Sequence, residues 1–361
     1  MSRDTAVKAE AVMEALSKVQ EPELGRDLVS LGMIKDLKLD DGQVTFAIEL
    51  TTPACPMRNR IEQEARVAVA ALPGVRGVNV HLTSNVPSDG RSRGTIRLPI
   101  RNAIAVASGK GGVGKTTVAV NVAVSLAAAG ARVGLLDADI YGPNVPTMMG
   151  LDRMPAPEAG RLIPAEAHGV RVMSIGFLVP PGQPLIWRGP MLHSAIRQFI
   201  GDVEWGELDY LVVDLPPGTG DAQLSLTQSL PLSGGLIVTL PQQVSLEDAR
   251  RGLEMFRTMD VPILGVVENM SFLELPDGTK MDIFGQGGGE RLAAQAGVPF
   301  LGALPIDPAV RESGDRGVPV VLTRPSSAVA RALTALSESV AARVSVLAVR
   351  SANVIPIQMI D

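Results

Sequence analysis

The chain has 361 residues and a formal net charge of −5, and a chain of this length usually folds as about two domains. Its apolar content of 46% and charged content of 20% are those of a globular protein and exclude a wholly disordered chain. The acidic balance and the 3% of aromatic residues exclude a broad basic or stacking surface, so we expect neither a nucleic-acid nor a membrane partner.

Residues 1–85 predict a small α+β domain, in which helical and strand patterns alternate. The expected helices are Ala6–Val19, ended by Pro22, and Met57–Leu72, and the expected strands are Ile34–Leu39, Val44–Leu50 and Val78–Leu82. The segment Met1–Asp4 lacks the features of a signal peptide, so we expect a cytoplasmic protein. Residues 86–99 are expected to form a linker, and Pro87–Gly94 is polar and turn-forming enough to be exposed.

Residues 100–345 predict a larger α/β domain with a mostly parallel sheet flanked by helices. Its strand patterns are short, nearly continuous apolar runs, which are typical of strands buried on both faces. The expected strands are Ile104–Ala107, Val133–Leu136, Val170–Ile175, Leu211–Val213, Leu236–Leu240, Ile263–Val267 and Phe300–Leu304. Polar residues interrupt the apolar stretch Thr117–Leu136, which favours a helix, a turn and a buried strand over a membrane span. Residues 346–361 are expected to form a docked tail.

A phosphate-binding loop is predicted between the first of these strands and the helix that follows it. The run is Gly109-Lys110-Gly111-Gly112-Val113-Gly114-Lys115-Thr116-Thr117, and its context is the one that this motif requires. Glycines let consecutive backbone N–H groups surround the phosphates, and the helix N-terminus adds positive partial charge. Lys115 is expected to reach the terminal phosphates, and the Thr116 hydroxyl to hold magnesium. Lys110, early in the loop, would reach the phosphates of a facing subunit or be a solvated loop lysine.

Acidic residues follow two of the predicted strands. Asp137-Ala138-Asp139 follows Val133–Leu136, and Asp214 follows Leu211–Val213, so these carboxylates lie near the edge where an open α/β sheet binds ligands. Asp214 is expected to hold magnesium, Asp139 to orient the attacking water, and the amide of Gly218 to contact a γ-phosphate. Alternatively, the two acids cap the helices that follow them.

Further motifs lie along the chain. They are Asp137–Asn144, Trp187-Arg188-Gly189-Pro190-Met191, Asp214–Asp221, Val267-Glu268-Asn269-Met270-Ser271 and Asp282-Ile283-Phe284-Gly285. Together with the phosphate loop, these motifs resemble the deviant phosphate-loop ATPases that include MinD, ArsA and the nitrogenase iron protein, and within them the Mrp family of iron–sulfur cluster carriers. The front segment, with Thr51-Thr52-Pro53-Ala54-Cys55-Pro56, resembles the small SufT-type domain.

The resemblance implies a homodimer with two ATP sites at its interface, in which Lys110 of each subunit completes the other's site. It implies ATP and magnesium as cofactors, iron–sulfur assembly proteins or client apoproteins as partners, and an adenine contact by Asn269. Asp307 is expected near the base as well. An amide suits adenine because it both donates and accepts hydrogen bonds.

The expected cluster-binding cysteines are missing from this chain. Family members that carry clusters usually have a Cys-x-x-Cys pair between the Asn269 and Phe284 motifs, from which two subunits ligate one [4Fe-4S] cluster. Here Leu275 and Gly278 stand nearest those positions, and Cys55 is the single cysteine of the chain. Placed just before a predicted helix, Cys55 would be a transient iron ligand, a reactive thiol or an unreactive core residue.

The sequence therefore favours an ATP-hydrolysing protein of iron–sulfur cluster assembly that binds or transfers clusters. One alternative is a cluster-free adaptor that recruits client proteins and uses ATP to time their release. Another is a MinD-like or ParA-like positioning ATPase, for which the last 25 residues offer only Arg343 and Arg350 as cations. A small-molecule phosphotransferase is a further alternative, with no acceptor site visible.

Overall fold

The chain divides into two compact units, Met1–Pro87 and Ser88–Asp361. A computed structural model describes residues 7–90, 99–140, 142–178, 201–220, 223–224, 226–227, 230, 232–275 and 277–352. Several predicted features lie outside the described residues: the linker residues 91–98, Tyr141, the motif Trp187–Met191, Asp221 and the tail residues 353–361.

The N-terminal unit is the predicted α+β fold. Its elements are α1 (Ala9–Leu16), β1 (Gln20–Glu21), β2 (Arg26–Asp27), β3 (Ile34–Asp40), β4 (Gln43–Leu50), α2 (Arg58–Ala70) and β5 (Gly77–Ser84). The central strand β4 pairs antiparallel with β3 and parallel with β5. Helix α1 ends earlier than predicted and not at Pro22, because β1 directly before that proline pairs with β2.

One apolar core holds the N-terminal unit together. Phe46 and Ile48 of β4 and Ile61 and Ala65 of α2 are buried in it, as the period of two in a strand and the i, i+4 spacing in a helix dictate. Cys55 is part of the same core and is 6% exposed.

The second unit confirms the predicted mostly parallel α/β fold. Its strands are β6 (Ile100–Ser108), β7 (Val133–Asp137), β8 (Ala165–Ala167), β9 (Val170–Ser174), β10 (Leu208–Asp214), β11 (Gly234–Thr239), β12 (Ile263–Glu268), β13 (Leu273–Glu274), β14 (Lys280–Met281) and β15 (Phe300–Ala303). The main sheet has the order β15-β12-β11-β6-β10-β7-β9-β8, and only β8 runs antiparallel to its neighbour. Strands β13 and β14 form a separate hairpin.

Helices cover this sheet. Among the described residues, the helices with defined bounds are α3 (Lys115–Ala128), α4 (Val145–Met149), a 3₁₀ turn (Ile175–Leu178), α5 (Gln243–Thr258), α6 (Gly288–Ala296), α7 (Pro308–Asp315), α8 (Val320–Thr323) and α9 (Ala328–Ala352). The apolar stretch Thr117–Leu136 forms part of α3, a turn and β7, as predicted. Helix α3 buries residues on all sides because it packs against the sheet and against α9.

The last described helix continues past residue 345, where the predicted tail begins. In the described part of the chain, Ala328–Ser351 is the helix whose length and apolar composition would suffice to cross a membrane. Half of its most apolar 18-residue window is buried inside the structure.

The first residues of the predicted linker are not exposed throughout, which corrects the expectation for Pro87–Gly94. Asp89 is 7% exposed, and its carboxylate accepts a hydrogen bond of 2.6 Å from the Ser233 hydroxyl. Ser233 in turn accepts from the backbone N–H of Ala103 at 2.8 Å. A buried carboxylate requires such donors, and neither the turn composition nor the polarity of the segment reveals them.

Candidate nucleotide-binding site

The predicted phosphate loop joins the carboxyl end of β6 to the first residue of α3. Gly114 has φ +83°, and a Cβ at this position would lie 2.2 Å from Nδ2 of Asn269, so both its conformation and its neighbour require glycine. No side chain caps the N-terminus of α3. The first N–H groups of this 14-residue helix therefore suit an anionic ligand.

Lys115, Thr116, Asp139 and Asp214 meet at this edge of the sheet. The Lys115 ammonium lies 2.7 Å from Oδ1 of Asp214 and 3.5 Å from Oδ2 of Asp139, and the Thr116 hydroxyl donates to Oδ2 of Asp214 at 2.7 Å. Lys115 is 5% exposed and Asp214 is fully buried. Burial raises the pKa of Asp214, and the Lys115 ammonium opposes that rise.

These residues fit a magnesium nucleotide. Mg²⁺ prefers hard oxygen ligands and is commonly held by one or two carboxylates together with substrate phosphates. The Thr116 hydroxyl and the Asp214 carboxylate are such ligands and adjoin each other. In the described residues, no group of three or more His, Cys, Asp or Glu side chains forms a protein-only metal site.

Asp137 lies behind this group, at the end of β7 and opposite Asp214 in the strand register. Its carboxylate accepts hydrogen bonds from the Ser174 hydroxyl at 2.8 Å and from the backbone N–H groups of Asp139 at 3.2 Å and Val145 at 3.3 Å. Burial, followed by the charge of Asp214, raises the pKa of Asp137 to about 7. Asp137 therefore holds both ends of the loop that carries Asp139.

The raised pKa of Asp137 predicts a pH-dependent stability. The pKa of Asp137 is ordinarily 3.8 and rises to about 7 in the folded protein. Between these pH values the Asp137 carboxyl is therefore protonated in the folded state and ionised in the unfolded state. The free energy of unfolding therefore falls as the pH rises from about 4 to about 7, by up to about 1.4 kcal/mol per pH unit. Asp137→Asn is expected to flatten this slope.

Urea unfolding of the nucleotide-free protein in EDTA, between pH 5 and pH 8, measures this slope. The matched control is Asp152→Asn, which makes the same change at an exposed carboxyl. Equal slopes in the wild type and Asp137→Asn would contradict the assignment.

A cavity of about 770 Å³ opens in front of the phosphate loop, a volume suited to a nucleotide. Its lining includes Lys110, Gly111, Gly112, Gly114, Lys115, Thr116, Thr117 and Asp139 from the predicted site, together with Pro217, Asn269 and Asp307. Asn269 donates from Nδ2 to the carbonyl of Val113 at 2.8 Å. The carboxylate of Asp307 caps α7 by accepting from the Ala309 N–H at 2.8 Å.

The remaining predicted residues take supporting places. A Cβ on Gly109 would lie 2.1 Å from the carbonyl carbon of Asp248, so the loop begins tightly packed against α5. Val113 is 2% exposed, and the N–H of Gly218 donates to the carbonyl of Ser108 at 3.0 Å. The base contacts of Asn269 and Asp307 and the phosphate contact of Gly218 stay predictions.

The segment that lacks the expected cysteines forms the β13–β14 hairpin. Leu275 and Gly278 lie in its turn, where the Gly278 N–H donates to the Leu275 carbonyl at 2.9 Å and the Leu275 N–H to the Thr279 carbonyl at 2.8 Å. The Lys280 ammonium lies 4.3 Å from the centre of the Phe272 ring. The positions at which the family pattern has cysteine thiolates thus lie in a hydrogen-bonded hairpin, which also contains the cation–π contact of Lys280 with Phe272.

The sequence did not identify several residues of this site. Thr147, Met148 and Arg311 line the cavity, but they come from α4 and α7, and no spacing within the chain indicates that they meet. Glu268 occurs in the sequence as part of the motif Val267–Ser271, which does not show what its carboxylate contacts. The consecutive glycines Gly287–Gly289 at the start of α6 are the one sequence signal of an anion contact there.

A parallel sheet with a phosphate loop at the end of one strand and buried carboxylates at the ends of its neighbours defines a nucleotide-binding P-loop NTPase. Residues 99–341 match the family model described as NUBPL iron-transfer P-loop NTPase, and residues 9–82 match that of iron-sulfur cluster assembly proteins. The chain belongs to the NUBPL iron-transfer P-loop NTPase family. The resemblance to cluster carriers inferred from the sequence motifs is thereby confirmed.

Individual proteins agree with this assignment. An iron-sulfur cluster carrier protein of Synechocystis sp. is 53% identical over 94% of this chain and 98% of its own length. A solved nucleotide-binding protein from Archaeoglobus fulgidus in complex with ADP is 39% identical, with a TM-score of 0.55 over 61% of this chain and 87% of its own. The Pyrococcus furiosus cell division ATPase MinD is 25% identical, with a TM-score of 0.50 over 66% of this chain and 97% of its own.

Proposed function

We propose that this protein binds magnesium ATP, hydrolyses it to ADP and phosphate, and uses the cycle to assist the assembly or transfer of iron–sulfur clusters to apoproteins. The observation that carries the ATPase proposal is the contact of Lys115 and Thr116 with Asp214 beside Asp139. Family membership and the carrier relative support the cluster-related part.

Each residue of the site has a distinct role in the proposed hydrolysis. The phosphate-loop N–H groups and the α3 N-terminus bind the triphosphate, and Lys115 neutralises its terminal charge. Thr116 and Asp214 would hold Mg²⁺, which supplies further charge neutralisation on the phosphates. Asp139 orients the attacking water.

A homodimer would complete this site. Lys110 borders the cavity beside Lys115, and we assign it to the phosphates of the facing subunit. A second ammonium would stabilise charge that develops on the transferred phosphoryl group, as an arginine finger does in related chemistry. Hydrolysis would then depend on dimer formation, whereas nucleotide binding would not.

The chain's own side chains do not form a complete thiolate site for a cluster. Cys55 is the single cysteine of the sequence and lies in the N-terminal core, so a dimer supplies two thiolates, whereas a [4Fe-4S] cluster takes four. We therefore assign the missing ligands to a partner protein or a small thiol, with Cys55 as a transient ligand. The shortage of thiolates also favours a second candidate function, an ATP-dependent adaptor that binds client proteins without carrying iron.

Anaerobic transfer to an apo-[4Fe-4S] enzyme tests this function and separates the two candidates. The protein is incubated with iron, sulfide, a small thiol and either ATP or a non-hydrolysable analogue, and recovery of the acceptor's activity is followed. We expect faster recovery with ATP than with the analogue. Equal rates would contradict an ATP-driven role in cluster assembly.

The iron that the protein retains after desalting distinguishes a cluster carrier from a cluster-free adaptor. Retained iron and visible absorbance that are lost in Cys55→Ser indicate cluster carriage. ATP-dependent recovery of the acceptor without retained iron indicates the adaptor function. Cys55→Ala is the matched control for packing, because it also lacks the thiol but carries no hydroxyl into the apolar core.

A further inference from the structure

The glycines Gly287–Gly289 at the start of α6 bind a carboxylate of the protein itself, that of Glu268. The N–H of Gly289 donates to Oε2 of Glu268 at 2.6 Å, and the N–H of Gly287 donates to Oε1 at 3.2 Å. A Cβ on Gly289 would lie 3.0 Å from Cβ of Glu268. The close approach of the helix N-terminus to this carboxylate therefore favours glycine, and the N–H groups of Gly287 and Gly289 are engaged by a carboxylate of the protein itself.

Glu268 is a buried carboxylate stabilised by neutral donors. It is 1% exposed, and besides the two amides it accepts a hydrogen bond of 2.5 Å from the Ser271 hydroxyl to Oε1. The positive end of the α6 dipole offsets the cost of burying this charge. Because both oxygens are engaged, the side chain has one well-defined orientation.

This carboxylate joins the two ends of the segment between β12 and α6. Ser271 lies at the start of that segment and Gly287 and Gly289 at its end, and the β13–β14 hairpin lies between them. One side chain therefore bonds both to the start of the segment, just after β12, and to its end, where α6 begins.

Asn269 lies within the part of the backbone that Glu268 fixes. The Glu268 carbonyl accepts from the Leu304 N–H at 2.8 Å, and the Ser271 N–H donates to the Leu304 carbonyl at 2.9 Å. Asn269 and Leu304 both line the cavity, on the side expected to receive the base. The backbone on both sides of Asn269 is thus hydrogen-bonded to Leu304. The Glu268 carboxylate adds a bond to the Ser271 hydroxyl, which lies on the other side of Asn269.

We propose that Glu268 is a positioning residue for nucleotide binding, which acts through Asn269 on the base end of the cavity. The carboxylate of Glu268 bonds to Ser271, Gly287 and Gly289, whereas Asn269 also donates from Nδ2 to the Val113 carbonyl of the phosphate loop at 2.8 Å. Removal of the Glu268 charge is therefore expected to weaken binding of the base most and binding of the phosphates less, and to leave the chemical step nearly unchanged. The proposal rests on the proposed ATPase function for its kinetic readout, but direct binding tests it independently.

Glu268→Gln in the full-length protein is the principal test. The amide keeps the shape of the side chain, but its NH₂ group cannot accept from a backbone N–H, so one donor loses its partner. We expect the Kd and KM for magnesium ATP to rise about tenfold, with kcat at saturation within about twofold of the wild type. The Ki of inorganic pyrophosphate, which has no base, is expected to rise less than about threefold, through the contact of Asn269 with Val113 of the phosphate loop.

The matched control is Glu274→Gln, the same change at an exposed glutamate of the hairpin, which is expected to alter none of these constants. Ser271→Ala removes one donor and keeps the carboxylate, so it provides a milder test, with an expected two- to threefold rise in Kd. The proposal would be overturned if Glu268→Gln and Ser271→Ala both bound ATP as the wild type does. It would also be overturned if Glu268→Gln lost as much affinity for pyrophosphate as for ATP, or if its kcat fell while its KM stayed unchanged. ATP binding that depends on Glu268 without any turnover in the wild type would refute the ATPase proposal and leave this one standing.

Discussion

Replacing Lys115 with alanine is expected to abolish ATP hydrolysis and to weaken ATP binding by about 100-fold or more. Lys115 is the first residue of α3, the helix that follows the phosphate loop. Its ammonium group is almost fully buried and lies 2.7 Å from Oδ1 of Asp214. A charged hydrogen bond to phosphate in such a place is strong, because little water screens it. Calorimetric titration with magnesium ATP and a phosphate-release assay measure the two effects.

The same substitution is expected to change stability in a pH-dependent way. It leaves the buried Asp214 without its cation, and breaking a buried ion pair from one side costs about 3–5 kcal/mol when the remaining group stays charged. Protonation of Asp214 relieves that cost, so the deficit relative to the wild type is expected to shrink as the pH is lowered. Urea unfolding without nucleotide, at pH 5 and at pH 8, measures the deficit.

Lys110→Ala is the matched control for the binding measurement, because it removes a lysine from the same loop. If Lys110 serves the facing subunit, this variant binds ATP nearly normally but hydrolyses it slowly. Wild-type turnover in Lys115→Ala would contradict the assignment of Lys115. Wild-type turnover in Lys110→Ala would contradict completion of the site across the dimer.

The fold and the position of the predicted phosphate loop between a strand and a helix could be predicted from the sequence because their signals are local. Strands such as Val133–Asp137 are continuous apolar runs with every residue buried, and the phosphate loop has a fixed spacing between a strand and a helix. The carboxyl ends of parallel strands lie along one sheet edge. That rule alone brings Asp137 and Asp214 close together.

Contacts between distant parts of the chain could not be predicted in this way. Glu268 contacts Gly289, 21 positions later, and Asp89 contacts Ser233, 144 positions later. Neither pair has a spacing or periodicity that marks it, because each depends on how loops cross at the ends of the sheet. A polar residue in a turn-forming segment, such as Asp89, is then wrongly predicted to be exposed.

The missing cysteines show a different limit of sequence comparison. The family pattern places cysteines near Leu275 and Gly278, which the sequence shows to be absent, and in the structure these two residues lie in a hairpin turn closed by backbone hydrogen bonds. The hairpin is joined to the cavity wall, because the Ile306 N–H donates to the Phe272 carbonyl at 2.7 Å and Ile306 lines the cavity. The connection between the nucleotide cavity and this segment is thus present in a chain that lacks the usual metal ligands.

Asp139→Asn is expected to lower kcat by about 100-fold or more while ATP affinity changes less than about threefold. Asp139 is 8% exposed and borders the cavity. Its Oδ1 accepts from the Gly142 N–H at 3.3 Å, and its own N–H donates to Asp137. Asparagine preserves the shape and one acceptor, so the loop keeps its conformation, but the neutral amide holds an attacking water less strongly than a carboxylate does.

Single-turnover hydrolysis and equilibrium binding separate the two effects of this substitution. The matched control is Asp315→Asn, which neutralises another carboxylate that lines the same cavity and is expected to leave kcat near the wild-type value. A large loss of affinity without a loss of turnover would assign Asp139 to binding, through its 3.5 Å contact with the Lys115 ammonium. Because that contact is longer than the 2.7 Å contact of Lys115 with Asp214, Asp214 holds the lysine more closely, which supports the proposal that Asp139 acts on the attacking water and not mainly on Lys115.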